Sequence, residues 1–312
     1  FPYTTLFRSP YRGAIIEKFS YIQNPNGTNK RYVGGLLNKY YSDKPLLLQA
    51  YTLQPASTLT SFTESAISGN NFVFDPNYKS AQHFTSYTSF GGIKEQNEES
   101  DVKESYIWDH QNTFPVAKVA NASIGEVAYS SFEADGQGNW IYNQANVGQA
   151  EKGITGRKYY VVPVSSVNSG FVNSGTLSST QKYKLTLWVK HGDPFYAKYP
   201  TSGSSVITSF STITPLITVN GWRYYEVDIE NSIRVEIGKY SNVGLTYVDE
   251  VRLFPKNAQM ITYTFDALVG MTSQCDPNNR IVYYEYDGLQ RLKLLKDQLG
   301  NVIKTYEYNY KQ

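Results

Sequence analysis

Few positions in this sequence carry chemistry by residue type and spacing, and most of them fall between residues 130 and 257. In the alternating run at 247–253, Asp249 shares a face with Tyr247, Val251 and Leu253, the apolar side. An uncompensated carboxylate there would cost several kcal/mol even after relaxation, so Asp249 needs partners, of which backbone amides are the simplest. In the run at 183–190, Trp188 takes the opposite parity from Tyr183, Leu185, Leu187 and Val189. It stands on the outer face among Lys184, Thr186 and Lys190. A ring so placed can stack on the C–H face of a sugar while polar neighbours fix its orientation, and a covering loop would use the same ring as packing. Trp140, Trp222 and Tyr224 are further candidates for such a platform, although Trp222 follows the turn pair Asn220-Gly221 and suits the start of a strand.

Catalysis finds no comparable support. His83, His110 and His191 are scattered, and the chain has no metalloprotease histidine pair, Cys-x-x-Cys, P-loop or Gly-x-Ser-x-Gly elbow. Glu95, Glu98, Glu99, Asp101 and Glu104 crowd around Lys94 and Lys103. Paired acids serve glycosidases, but this contiguous polar run lacks apolar surroundings and reads as a solvated hairpin loop. The chain is expected to be non-catalytic.

The elements that must position these residues are strands. Of 312 residues, 28 are tyrosine and only 18% are charged, against about 25% in a typical domain. Tyrosine favours strands and offers an apolar ring with a polar tip, which suits half-wet sheet surfaces. A net charge of +2 gives no basic stripe for nucleic acid. No run approaches the length needed to span a membrane as a helix. The single Cys275 leaves the redox compartment open.

Self-similarity organises the C-terminal part. Tyr263-Thr264-Phe265-Asp266-Ala267-Leu268 returns as Tyr284-Glu285-Tyr286-Asp287-Gly288-Leu289, Asp276 returns as Asp297, and Tyr306-Glu307-Tyr308 follows after one inserted residue. Aromatics at i and i+2 share one sheet face, and the turn-rich segments between them join consecutive strands as hairpins. The pattern closely resembles the YD repeats of RHS proteins. Tyr284, Tyr286, Asp287, Gly288 and Arg291 match that motif, with Gln290 standing where glycine is usual. Weaker copies lie upstream at Tyr87 and at Tyr106, Trp108 and Asp109. The resemblance implies a β-hairpin ribbon belonging to a large bacterial protein, secreted or displayed at the cell surface, whose payload, where it has one, is a toxin beyond the repeats.

Residues 130–257 interrupt this spacing with short, glycine-punctuated alternating runs, as in a β-sandwich. Tyr225, Val227 and Ile229 form a second inner row, and Ile233, Val235 and Ile237 a third. The layout resembles jelly-roll carbohydrate-binding modules of the galactose-binding-like type. That likeness implies a structural Ca²⁺ held by a first-strand Glu and a last-strand Asp, here Glu133 and Asp249, with Asp135 as a third oxygen donor. It also implies a cell-surface glycan as partner. The sandwich alone is expected to stay soluble when excised.

The expected organisation is thus all-β. Residues 1–9 resemble a translated sequencing adapter, which would make the chain a fragment. Residues 10–129 are degenerate YD-like repeats, 130–257 a galactose-binding-like sandwich and 258–312 YD repeats. The preferred function is a structural scaffold partnered by the rest of its parent protein. The alternative is a carbohydrate-binding adhesion module carried by the sandwich.

Overall fold

The computed structural model describes residues 3–8, 14–69, 71–99, 102–164, 171–173, 175–240 and 244–309. Among these, nearly all regular structure is antiparallel β, and the helical turns are three-residue 3₁₀ turns such as Ile124–Glu126 and Phe210–Thr212. The chain divides into two compact units, one of residues 1–87 and 95–103, the other of 88–94 and 104–312.

In the first unit, strands Tyr3–Arg8, Ile15–Ile22, Arg31–Tyr40, Leu47–Leu53 and Lys79–Tyr87 pair in chain order. Aromatic rings supply the bulk that scarce aliphatics do not. Phe62 lies 4.9 Å from Phe19 and 4.5 Å from Tyr32, and Leu37, Leu53 and Tyr78 close a small core. Ser80 and His83 meet at 3.0 Å, but the Gln49 amide donates to the Ser80 hydroxyl at 2.8 Å. No carboxylate orients the imidazole among the described residues, so the pair lacks the third member that a nucleophilic serine requires.

The second unit contains both a hairpin ribbon and a sandwich. Strand Phe114–Ala120 pairs directly with Gln259–Asp266, with Lys118 opposite Ile261, so the sheet runs on across the sandwich that leaves and rejoins it. Beyond it, Gly270–Cys275, Ile281–Tyr286, Leu292–Asp297 and Val302–Thr305 follow as successive hairpins. Each of the last three turns is closed by its own aspartate. The Asp287 carboxylate accepts from the Leu289 and Arg291 amides at 2.8 and 3.0 Å and pairs with the Arg291 guanidinium, which holds its pKa below the usual range. The Asp276 carboxylate likewise accepts from the Asn278 and Arg280 amides, and the Asp297 carboxylate from the Leu299 and Asn301 amides.

A second device repeats with the turns. The second aromatic of the repeat core donates to a carbonyl fifteen or sixteen positions upstream: Tyr286, before Asp287, to Met271 and Tyr308, before Asn309, to Leu292, both at 2.8 Å. Trp108 uses its indole N–H in the same way toward Ile93, at 2.7 Å.

The fourth residue of each of these turns is left-handed: Asn279 at φ 59°, Gln290 at 61° and Gly300 at 91°. A glutamine carries a Cβ that this conformation disfavours by about 1–2 kcal/mol. Gln290→Gly is therefore expected to stabilise the chain by about 0.5–1 kcal/mol once glycine's greater unfolded freedom is subtracted. An unchanged or lowered melting temperature would show that the Gln290 side chain compensates for its backbone.

The sandwich faces one sheet against another. The first orders Val147–Gly148, Tyr159–Val161, Thr246–Pro255, Tyr183–His191, Trp222–Ile229 and Ile217–Val219. The second orders Trp140–Ile141, Phe171–Asn173, Arg234–Gly238, Phe195–Tyr199 and Val206–Ser209. Between them lies a core containing Leu185, Leu187, Val189, Tyr225, Ile229, Val235 and Ile237, all essentially inaccessible.

Candidate functional site

The aromatic residues proposed from sequence as a sugar platform are buried. Trp140 lies inside the sandwich core, 4.9 Å from Phe171, with its indole N–H on the Val251 carbonyl at 3.2 Å. Trp188 does occupy the outer face of its sheet, but a second layer covers that face. Trp188, Trp222, Tyr224 and Tyr247 pack with Cys275 and Ile281 of the ribbon, and Trp188 has no exposed surface. Its indole N–H reaches Asn279 at 3.4 Å, and the Cys275 thiol donates to the same side-chain oxygen. Alternation correctly assigns the face; it cannot tell whether a sugar or another part of the chain covers it. Burial pushes the Cys275 thiol up to about 12, so it is no nucleophile.

The last sandwich strand departs from simple parity. Glu250 sits at φ 50°, and the register against Tyr183–His191 slips between Thr186 and Trp188. This β-bulge adds a residue and resets the alternation. Val248, Val251 and Leu253 face the core, whereas Asp249 shares only the Tyr247 side, toward the outer layer. The bulge also gathers a buried network. Glu250 Oε1 accepts from the Tyr129 hydroxyl at 2.6 Å and the Thr155 hydroxyl at 2.9 Å. Glu250 Oε2 accepts from Arg252 at 2.9 Å and from the Thr262 hydroxyl at 2.8 Å. Arg252 in turn reaches Thr262 and the Asp276 carbonyl, so this ion pair, at 2% and 1% side-chain exposure, ties the sandwich to one strand and one turn of the ribbon.

The three carboxylates expected around Ca²⁺ do not converge. Asp135 accepts from the Gln111 amide at 3.3 Å, away from the others. Glu133 and Asp249 do face one loop, residues 153–158. The Arg157 and Lys158 amides donate to Glu133 Oε1 at 2.7 and 2.5 Å, and the Thr155 amide to Asp249 Oδ2 at 3.0 Å. The loop closes this tightly because Gly156, at φ 58°, has no side chain. A Cβ there would come within 2.2 Å of the Glu133 carboxyl. Burial raises the pKa of both carboxyls, and for Asp249 the charge of Glu250 adds to it. Among the described residues, no group of three or more His, Cys, Asp or Glu side chains is placed to hold a metal.

The same loop borders a cleft of about 850 Å³ shared by the sandwich and the ribbon. Lys152, Arg157, Lys158 and Lys190 rim it from the sandwich, and Phe265, Tyr283, Tyr284 and Lys296 from the ribbon. The Tyr283 hydroxyl donates to the Ile154 carbonyl at 2.6 Å, clamping the ring against the loop.

No protein-family model and no curated protein matches the chain. Among solved structures, the CBM22-1 xylan-binding domain of Xyn10C from Paenibacillus barcinonensis aligns with a TM-score of 0.30 and 11% identity, over 43% of this chain and 95% of that one. TcdB2-TccC3 aligns with a TM-score of 0.19 and 10% identity, over 98% of this chain, which spans only 20% of it. At scores this low, strand order and buried contacts define the architecture.

Proposed function

We propose that this chain is a non-catalytic β scaffold, part of a large bacterial YD-repeat protein that is secreted or displayed at the cell surface, in which the sandwich braces the hairpin ribbon. One observation carries the reading. The sandwich face that a free carbohydrate-binding module would leave to solvent is buried under the ribbon, with Trp188 wholly enclosed and Arg252 bonded across the joint. An excised sandwich would expose Trp188, Trp222 and Tyr224, so residues 128–258 produced alone are expected to self-associate, against the solubility that the sequence suggests. Urea unfolding of the whole chain, followed by tryptophan fluorescence and by circular dichroism, should give one coincident transition for the second unit. Separate sandwich and ribbon transitions would defeat the brace.

A second reading, structural Ca²⁺ at Glu133 and Asp249, draws on the surplus of buried acid there. Asp249 is fully buried, receives only two amide hydrogen bonds, and faces Glu133 across the loop. Its folded pKa lies well above the ordinary range for an aspartate because burial disfavours the charge. The folded chain then holds a proton that the unfolded chain releases, and stability falls as pH rises from about 4 through the folded pKa. Bound Ca²⁺ would neutralise the pair and remove that slope, as would Asp249→Asn. Melting curves across this range, with and without Ca²⁺, check both effects. Absence of any calcium-dependent heat or melting shift would leave the amide-held pair as the complete site.

A further inference from the structure

We infer that the cleft between loop 152–158 and the ribbon binds acidic oligosaccharides, chains of uronate-type sugars bearing one carboxylate per ring. It is distinct from the buried aromatic face and requires no metal. Three rim cations are already matched: Lys190 to Glu151 at 2.5 Å, Lys296 to Glu285 at 2.6 Å and Arg157 to Asp266 at 3.4 Å. Among the described residues Lys152 makes no ion pair, whereas the Lys158 charge acts on the Glu133 carboxylate. Lys158 donates to the Glu133 main-chain carbonyl at 2.7 Å, and the exposed Lys152 sits 5.5 Å from the Tyr283 ring centre. Glu133 turns its Oε1 toward the loop amides. The rim therefore offers Lys152 to an anionic ligand, with Lys158 beside it and shared with Glu133.

Shape and surface narrow the ligand class. A volume of about 850 Å³ is in the range of sites that enclose several sugar-sized groups. Tyr283 contributes a partly exposed ring beside those cations, fixed in place by its bond to Ile154, while Tyr284, the next residue of the strand, points to the opposite face. Ring faces for C–H surfaces beside ammonium groups for carboxylates suit a uronate better than a compact inorganic anion, which would leave most of the cleft unfilled.

The site rests on the brace, because each side supplies half of it, and the test keeps the two apart. Tetragalacturonate titrated into the full chain should bind saturably, more weakly as salt rises, and a neutral xylan oligosaccharide should bind far less. Lys152→Ala should weaken binding about tenfold, the usual cost of one charge-assisted hydrogen bond, and leave the unfolding transition in place. Lys152→Arg should restore binding. Trp188→Ala should disturb both binding and unfolding. Unsaturable binding, equal affinity for the neutral oligosaccharide, or indifference to Lys152→Ala would each overturn the inference. Intact unfolding without uronate binding would overturn it while leaving the brace standing.

Discussion

Trp188→Ala is expected to destabilise the second unit by about 3–5 kcal/mol, the range for removing a fully buried large aromatic side chain. The residue has no accessible surface, packs 5.3 Å from Tyr224, and makes its polar contact with Asn279 at the tip of a ribbon hairpin. Truncation leaves a cavity lined on both sides of the joint and removes a donor from the Asn279 oxygen. The size of the effect separates the two functional readings. A sugar platform is exposed, and an exposed ring is usually replaced at a cost within about 0.5 kcal/mol. The measurement is the urea midpoint of the full chain, with the slope monitored to confirm that cooperativity is unchanged. A shift near zero would return Trp188 to solvent and reopen the adhesion-module reading.

The contrast between Trp188 and Asp287 shows where sequence reasoning succeeds. The Asp287 turn is local: carboxylate, donating amides and arginine all lie within five positions, and the left-handed fourth residue follows from the same pattern. The alternation in 183–190 is equally local and assigns every side chain its face. What covers that face is set by residues some ninety positions away, and their composition conceals it. Thr262, Thr264 and Ser273 read as a polar, solvent-facing row, yet they are buried at 0–1% exposure. The Thr264 and Ser273 hydroxyls satisfy each other at 2.6 Å and the Thr262 hydroxyl is satisfied by Glu250 and Arg252, so the layer closes without looking apolar. The bulge at Glu250 was hidden for a different reason. A left-handed glutamate has no sequence signature, and without the extra residue the parity of Asp249 extends wrongly to Val251 and Leu253. The first unit was hardest to read because its packing joins distant aromatics, such as Phe19 with Phe62.

Arg252→Leu is expected to cost about 3–5 kcal/mol, because it strands the Glu250 carboxylate in a site from which water is excluded. Three hydroxyls, from Tyr129, Thr155 and Thr262, would still donate to that carboxylate, but none carries the compensating charge. The informative measurement is the double-mutant cycle with Thr262→Val. The Thr262 hydroxyl donates to Glu250 and accepts from Arg252, both at 2.8 Å, and it belongs to the ribbon, whereas both charged residues belong to the sandwich. Because the three groups form one network, the double variant should be less destabilised than the sum of the singles, with a coupling of about 1–2 kcal/mol. Replacing Glu250 and Arg252 together by leucines should recover only part of the loss, since each stranded hydroxyl then costs about 1–3 kcal/mol. Additive effects for Arg252 and Thr262 would mean that the buried pair stabilises the sandwich alone. The brace would then rest on the apolar contact of Trp188 and Ile281, without a polar lock to fix its register.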